Sequence, residues 1–161
     1  LTFFVVNRKI ILKKYKLNEV LRVKLSTRSR YGLRALVFLA KHSNEAPISV
    51  RRISMSEDIP LRYLERIMRI LSQKGFVRAE VGAEGGYLLS DSPENIKILD
   101  VIEVLEGKLS LVNCIDDPSK CERFKNCFTR PLWEEISGNI RNTLSKYTLA
   151  DFVKEKEESL N

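Results

Sequence analysis

The stretch that most constrains this chain is residues 60–75, "PLRYLERIMRILSQKG". Leu64, Ile67, Met68 and Leu71 recur at i, i+3, i+4 and i+7, the spacing of one helical face. Gly75 stops the pattern, and Pro60 suits the first position of the helix. Arg62, Tyr63, Glu65 and Arg66 fall opposite or beside the apolar stripe, so one face is built for a core and the other for solvent or a polyanion. Upstream, "ISVRRISMSEDIP" offers a cap at Ser49 and a short helix ending near Asp58. A short helix, a brief turn and a longer helix with a basic outer face make the pattern of a helix-turn-helix.

The flanks extend the pattern. "STRSRYGLRALVFLAKHS" has Ser and Thr cap residues, then Leu33, Leu36, Val37 and Ala40 at helical spacing. His42 falls at the end of that helix, a place for a cap or a surface role. After Gly75, "FVRAEV" and "YLLS" read as strands around the turn "GAEGG". A helix-turn-helix followed by a β-hairpin is a winged helix; the alternative is a small α+β domain in which this order is accidental. The expected fold is therefore mostly α with one small β-hairpin, the winged helix-turn-helix occupying residues 23–90. In residues 91–161, Ser92 and Pro93 offer a helix start, and Val101, Ile102 and Leu105 a short amphipathic helix. From Pro131 a long helix carries Leu132, Trp133, Ile136, Ile140, Leu144 and Tyr147 on one side. That stripe has either its own domain or a second copy to pack against, which makes this the expected dimerisation helix.

Charge is distributed unevenly. The net charge of +7 divides into +5 over residues 1–22, +6 over 23–90 and −4 over 91–161. A basic part joined to an acidic part suits a polyanion-binding unit with an appended element, although scattered surface charge gives the same totals. Residues 1–22 have no clean period, and lysines interrupt their apolar runs, so they do not read as a signal peptide. They read either as a basic arm or as a non-native extension. Asn18-Glu19-Val20 is encodable by a ribosome-binding sequence just ahead of Val23, whose codon can be an alternative start. No apolar run reaches the ~20 residues that span a bilayer. Three cysteines cannot all pair within one chain, so a reducing cytoplasm is expected rather than a secreted disulfide scaffold.

All three cysteines, Cys114, Cys121 and Cys127, lie in "CIDDPSKCERFKNC". The Cys-x6-Cys-x5-Cys spacing is a poor match to the paired ligands of structural zinc. The surrounding polar sequence argues against buried structural thiols. Thiolates on a loop can hold an iron–sulfur cluster, and Lys120, Arg123, Lys125 and Arg130 would favour the thiolate form for that or for oxidation chemistry. An enzyme is not expected: there is no C-x-x-C, no Gly-rich phosphate cradle and no nucleophile–base pair. A cluster-free thiol switch, a redox protein and a winged-helix adaptor remain as alternatives.

"VKLSTRSRYGLRALVFLA", "IPLRYLERIMRILSQKGFVRAEVGAEGGYLLS" and "CFTRPLW" together resemble the Rrf-type bacterial winged-helix regulators, which include IscR, NsrR, RirA and CymR. The resemblance runs from residue 23 to about 153. It implies a homodimeric, cytoplasmic transcription regulator, more often a repressor, bound to a double-stranded DNA operator. Arg62, Tyr63, Glu65 and Arg66 would face bases, with Glu65 at the position that discriminates between operators in IscR-like members; a salt bridge from Glu65 to Arg62 or Arg69 is the plainer alternative. Arg28, Arg30, Tyr31 and Arg51 or Arg52 would hold the backbone. Gly82, Gly85 and Gly86 in the wing would permit φ > 0 and close approach to the sugar-phosphate edge. Where some relatives place a minor-groove arginine this chain has Val81, leaving Arg78 as a substitute. Cys114, Cys121 and Cys127 would bind a [2Fe–2S] or [4Fe–4S] cluster. The fourth ligand is open: Arg130 stands where IscR-like members have histidine, and Arg30 where some NsrR-like members have an acid. Asp116, Asp117 and Glu122 are the local candidates.

Overall fold

The structure, a computed structural model, describes residues 25–82 and 85–153. The expectations for residues 1–22 lie outside the described residues. Helix α1 (Thr27–Lys41) buries Ala35, Leu36, Leu39 and Ala40, and ends at His42. Helix α2 (Val50–Ser56) starts at Ser49, whose hydroxyl accepts from the Arg52 N–H at 3.2 Å. Helix α3 (Leu61–Gln73) buries all four residues of the predicted stripe, Leu64, Ile67, Met68 and Leu71. Each contributes roughly 1.5–3 kcal/mol of burial, an upper estimate against an extended chain. Pro60 is the residue before the first helical position rather than the first itself. The turn between α2 and α3 passes through Asp58 at φ 47°, the left-handed region, which Asp tolerates better than most residues.

Gly75, at φ 78°, ends the α3 segment as expected and leads into β1 (Val77–Glu80). β1 pairs antiparallel with β2 (Gly86–Leu89), Val77 opposite Leu89 and Glu80 opposite Gly86. A single-residue bridge outside the hairpin joins Ile48 to Tyr87, with bonds of 3.0 and 2.9 Å in the two directions. That bridge fastens the wing to the α1–α2 connection, and no periodicity in the sequence announces it.

Helix α4 (Ile98–Glu106) buries Ile98, Val101, Ile102 and Leu105. It starts after Lys97, not at Ser92; Ser92 instead opens a turn closed by Asn95, and the Pro93 carbonyl accepts from Ala150. The core runs through α1, α2, α3, β1 and α4 and takes in Leu149, so it draws on both sides of residue 90. Helix α5 (Asn113–Asp116) and two 3-10 turns, Pro118–Lys120 and Phe124–Asn126, are the only regular elements of the cysteine segment. Helix α6 (Arg130–Leu144) starts one residue before Pro131 and stops short of Tyr147. The chain then folds back: the Tyr147 carbonyl accepts from Ile98, and a final 3-10 turn (Leu149–Phe152) seats Leu149 in the core under a Thr148–Asp151 capping box. No helix among the described residues is long and apolar enough to cross a membrane.

Candidate functional site

Because the apolar residues of α3 face inward, helical geometry turns Arg62, Glu65, Arg66 and Arg69 outward, and all four are exposed. Among the described residues none of these four side chains makes a hydrogen bond or ion pair, so the salt bridge considered for Glu65 is not formed. Tyr63 is half-buried and meets Tyr31 of α1 edge-on, with ring centroids 5.9 Å apart. Arg34 lies 5.7 Å from the Tyr31 ring and pairs with Glu57 at 3.0 Å. These contacts brace α1 against α3 and the turn that precedes it.

The two arginines of α2 part company. Arg52 pairs with Glu45 and lies over the Phe38 ring at 5.9 Å, and its hydrogen bond holds the Glu45 carboxyl below its ordinary value. Arg51 is exposed and unpaired among the described residues, which makes it the free cation of that pair. On α1, Arg30 is exposed and donates to the Thr27 hydroxyl at 3.3 Å, whereas Arg28 is half-buried with its Nε enclosed.

Of the three wing glycines only Gly82 has a positive φ, 148°. Gly85 and Gly86 are needed for another reason. A Cβ at Gly85 would stand 2.5 Å from the Glu80 carbonyl oxygen, and one at Gly86 would stand 2.5 Å from the Ile48 oxygen. Their small size serves the protein's own close packing, a correction to the expectation that they supply φ > 0. Val81 is fully exposed, and Arg78 pairs with Glu80 at 3.5 Å.

The three cysteines are free and half-buried. Cys127 Sγ lies 3.4 Å from the Thr129 hydroxyl; that contact, the Thr129 backbone amide and the nearby Arg130 charge hold its thiol below the ordinary value despite partial desolvation. Arg130 donates to the Phe124 carbonyl at 3.0 Å, lies over the Phe124 ring at 4.7 Å and pairs with Glu134 at 3.3 Å. Of the candidate fourth ligands, Asp116 bonds the Ser110 hydroxyl and Asp117 caps a turn through the Ser119 N–H at 3.0 Å. His42 bonds the Phe38 carbonyl at 2.8 Å and stacks on its ring. Among the described residues no three His, Cys, Asp or Glu side chains come together as a metal site. The donor chemistry, three thiols on a segment with little regular structure, suits a soft-metal cluster; this arrangement of the loop does not converge them.

The outer stripe of α6 is partly uncovered. Leu132 is 50% exposed, and Ile136, Ile140 and Leu144 line an open groove of about 510 Å³ with Leu25, Leu109 and Leu111. Trp133 turns back toward the cysteine segment, its indole N–H donating to Thr129 at 3.2 Å. Sequence reasoning missed Glu106, which accepts from the Ser26 N–H at 2.7 Å; its place at the end of a helix eighty residues from Ser26 leaves no local signal.

The sequence model of the Rrf2 family, described as an iron-dependent transcriptional regulator, matches residues 25–155. The chain is 37% identical over 133 residues to protein rrf2 of Nitratidesulfovibrio vulgaris Hildenborough, covering 83% of this chain and 89% of that protein. Its fold is similar to that of CymR, the global cysteine regulator of B. subtilis, with TM-score 0.68, 36% identity and coverage of 82% of this chain and 97% of that one. It is similar also to T. potens IscR, with TM-score 0.69, 33% identity and coverage of 86% and 93%. CymR and IscR are named as transcriptional regulators, not as enzymes. The chain belongs to the Rrf2 family of winged-helix transcriptional regulators.

Proposed function

We propose that this regulator binds a double-stranded DNA operator as a cytoplasmic homodimer, in the repressing sense, and that an iron–sulfur cluster held by Cys114, Cys121 and Cys127 controls that binding. The observation that carries the DNA half is the outward face of α3, where, among the described residues, Glu65 stays unpaired beside three arginines that are likewise unpaired. A carboxylate facing DNA is repelled by phosphate unless it accepts from a base, and cytosine N4 is the donor it suits. Arg62 and Arg66 match guanine, with Tyr63 beside them. Arg30 and Arg51, with Arg28 and Tyr31, lie on the helices that would meet phosphates. Gly85 and Gly86 keep the wing tight enough to approach the backbone. When bound, the cluster supplies a group whose gain, loss or oxidation changes the charge and shape of the loop. The groove along Ile136, Ile140 and Leu144, with exposed Leu132 and half-buried Trp133 on the same helix, suits a second copy of that helix.

A second reading has one observation in its favour. The thiols stand apart, and Cys127 is held toward its thiolate, as a cluster-free thiol switch requires. The similarity to a cysteine regulator fits that reading, as the family's iron-dependent description fits the first.

Binding to operators selected from a random duplex pool tests the DNA assignment. Glu65→Ala is expected to relax base preference, losing about 1–3 kcal/mol of discrimination at one position. Arg30→Ala is expected to weaken all sequences alike and to reduce the salt slope by about one unit per subunit. Equal losses on every sequence for both variants would contradict the assignment.

A further inference from the structure

We infer that Glu106 is the positioning residue that holds the first turn of α1 in place for DNA, and that it does so from the hinge of the cysteine segment. The inference rests on the DNA-binding reading above. Helix α1 makes no side-chain cap of its own, and no acidic residue lies in its first turn. A 15-residue helix whose first amides lack acceptors and whose positive end lacks an anion is incomplete. One acceptor and the anion come from α4: Glu106 accepts at 2.7 Å from the N–H of Ser26, the cap residue just before the first helical position. The Ser26 and Ser29 hydroxyls and the Arg28 Nε are buried at the same end. Partial burial pushes the Glu106 carboxyl up, but the nearby Ser26 and Ser29 hydroxyls, the Ser26 N–H bond and the Arg28 charge outweigh it and hold the group below its ordinary range.

Glu106 is also the last residue of α4, and the next residue is Gly107, at φ 93° with open space where a side chain would stand. The cysteine segment begins there. Before Cys114 the segment is tied to α6 by the Leu111 N–H, which donates to the buried Ser137 hydroxyl at 3.2 Å. One carboxylate therefore joins the hinge of the thiol segment to the turn that carries Arg28 and Arg30. A movement that rotates Gly107 withdraws the cap and shifts both arginines relative to a phosphate backbone. No change in α3 is required.

The test uses the full chain, wild type, Glu106→Ala and Glu106→Gln. The glutamine variant keeps the volume and one acceptor oxygen, so it reports even where alanine impairs folding. Amide hydrogen exchange reads the cap without DNA. Exchange at Ser26–Arg30 is expected to rise about fivefold in Glu106→Ala, the loss of one cap, and less in Glu106→Gln, with α3 unchanged. Alkylating the thiols with iodoacetamide is expected to raise the same amides in wild type and to add nothing in Glu106→Ala. In parallel, Glu106→Ala weakens every duplex alike, with base preference intact. Unchanged exchange at Ser26–Arg30 in Glu106→Ala, or an alkylation effect of equal size in both proteins, would overturn the inference. Absence of any base preference in wild type counts against the DNA reading alone, and the exchange measurement still decides the role of Glu106.

Discussion

Two carboxylates with opposite surroundings define the chemistry at the scale of single residues. Among the described residues Glu65 keeps no cation although Arg62, Arg66 and Arg69 share its helix, while Glu106 is half-buried and accepts from the Ser26 N–H. The sign for Glu106 follows from its depressed value. Its stabilising contribution is fully present above the ordinary carboxylate value of 4.5 and is lost as pH falls through the lower folded value. Thermal midpoints of wild type and Glu106→Gln should therefore converge on acidification below about pH 4.5, the wild type falling faster; parallel curves would contradict the contact. Gly86 makes a steric prediction. A methyl there meets the Ile48 backbone, which cannot swing away as a side chain can. Gly86→Ala should cost about 1–3 kcal/mol in denaturant unfolding, and an unchanged midpoint would mean the wing is not fastened at the Ile48–Tyr87 bridge. The outward place of Glu65 was legible from its position off the stripe of α3, because that is a local pattern. Glu106 and the reason for Gly86 were not, since both depend on chain segments brought together only by folding.

Among the elements, α3 was the most legible and α6 the most informative where it differed. The four stripe residues of α3 are buried as their spacing requires, because amphipathic periodicity and packing point the same way. Helix α4 starts later than Ser92-Pro93, which has the composition of a helix start: residues 92–95 form a turn instead, and tertiary bonds from Ala150 and Leu149 to the Pro93 and Ile96 carbonyls tie this segment to the end of the fold. Helix α6 stops at Leu144 because the following residues turn back to cap the core with Leu149. What remains partly open is the groove lined by Ile136, Ile140 and Leu144, with Leu132 exposed beyond it. Ile140→Asp places a charge in that groove, where the chain itself leaves room. In sedimentation the variant is expected to run as a monomer at concentrations where wild type is a dimer, and to bind a two-half-site operator at least about tenfold more weakly. Monomeric wild type, or unchanged assembly in the variant, would remove α6 as the dimer contact.

For the whole molecule, the winged helix and the thiol segment are one connected body. The shared core spans α1 to α4 and closes with Leu149. The thiol segment leaves that core at Gly107 and rejoins the molecule at α6, with Glu106 at its exit and Ser137 beside its start. Fold class was readable from periodicity and turn residues. The state of the cysteines was not, because spacing in sequence fixes which thiols share a loop and leaves open whether they converge. The direct measurement is operator binding by anaerobically purified protein, before and after chelation of its iron, with visible absorbance and iron and sulfide content recorded on the same sample. The expected result is a coloured protein, its colour absent from the triple Cys→Ala variant, with an operator affinity that changes on loss of iron while non-specific binding does not. A colourless, iron-free protein from iron-replete cells, or an operator affinity indifferent to the iron, would contradict cluster control.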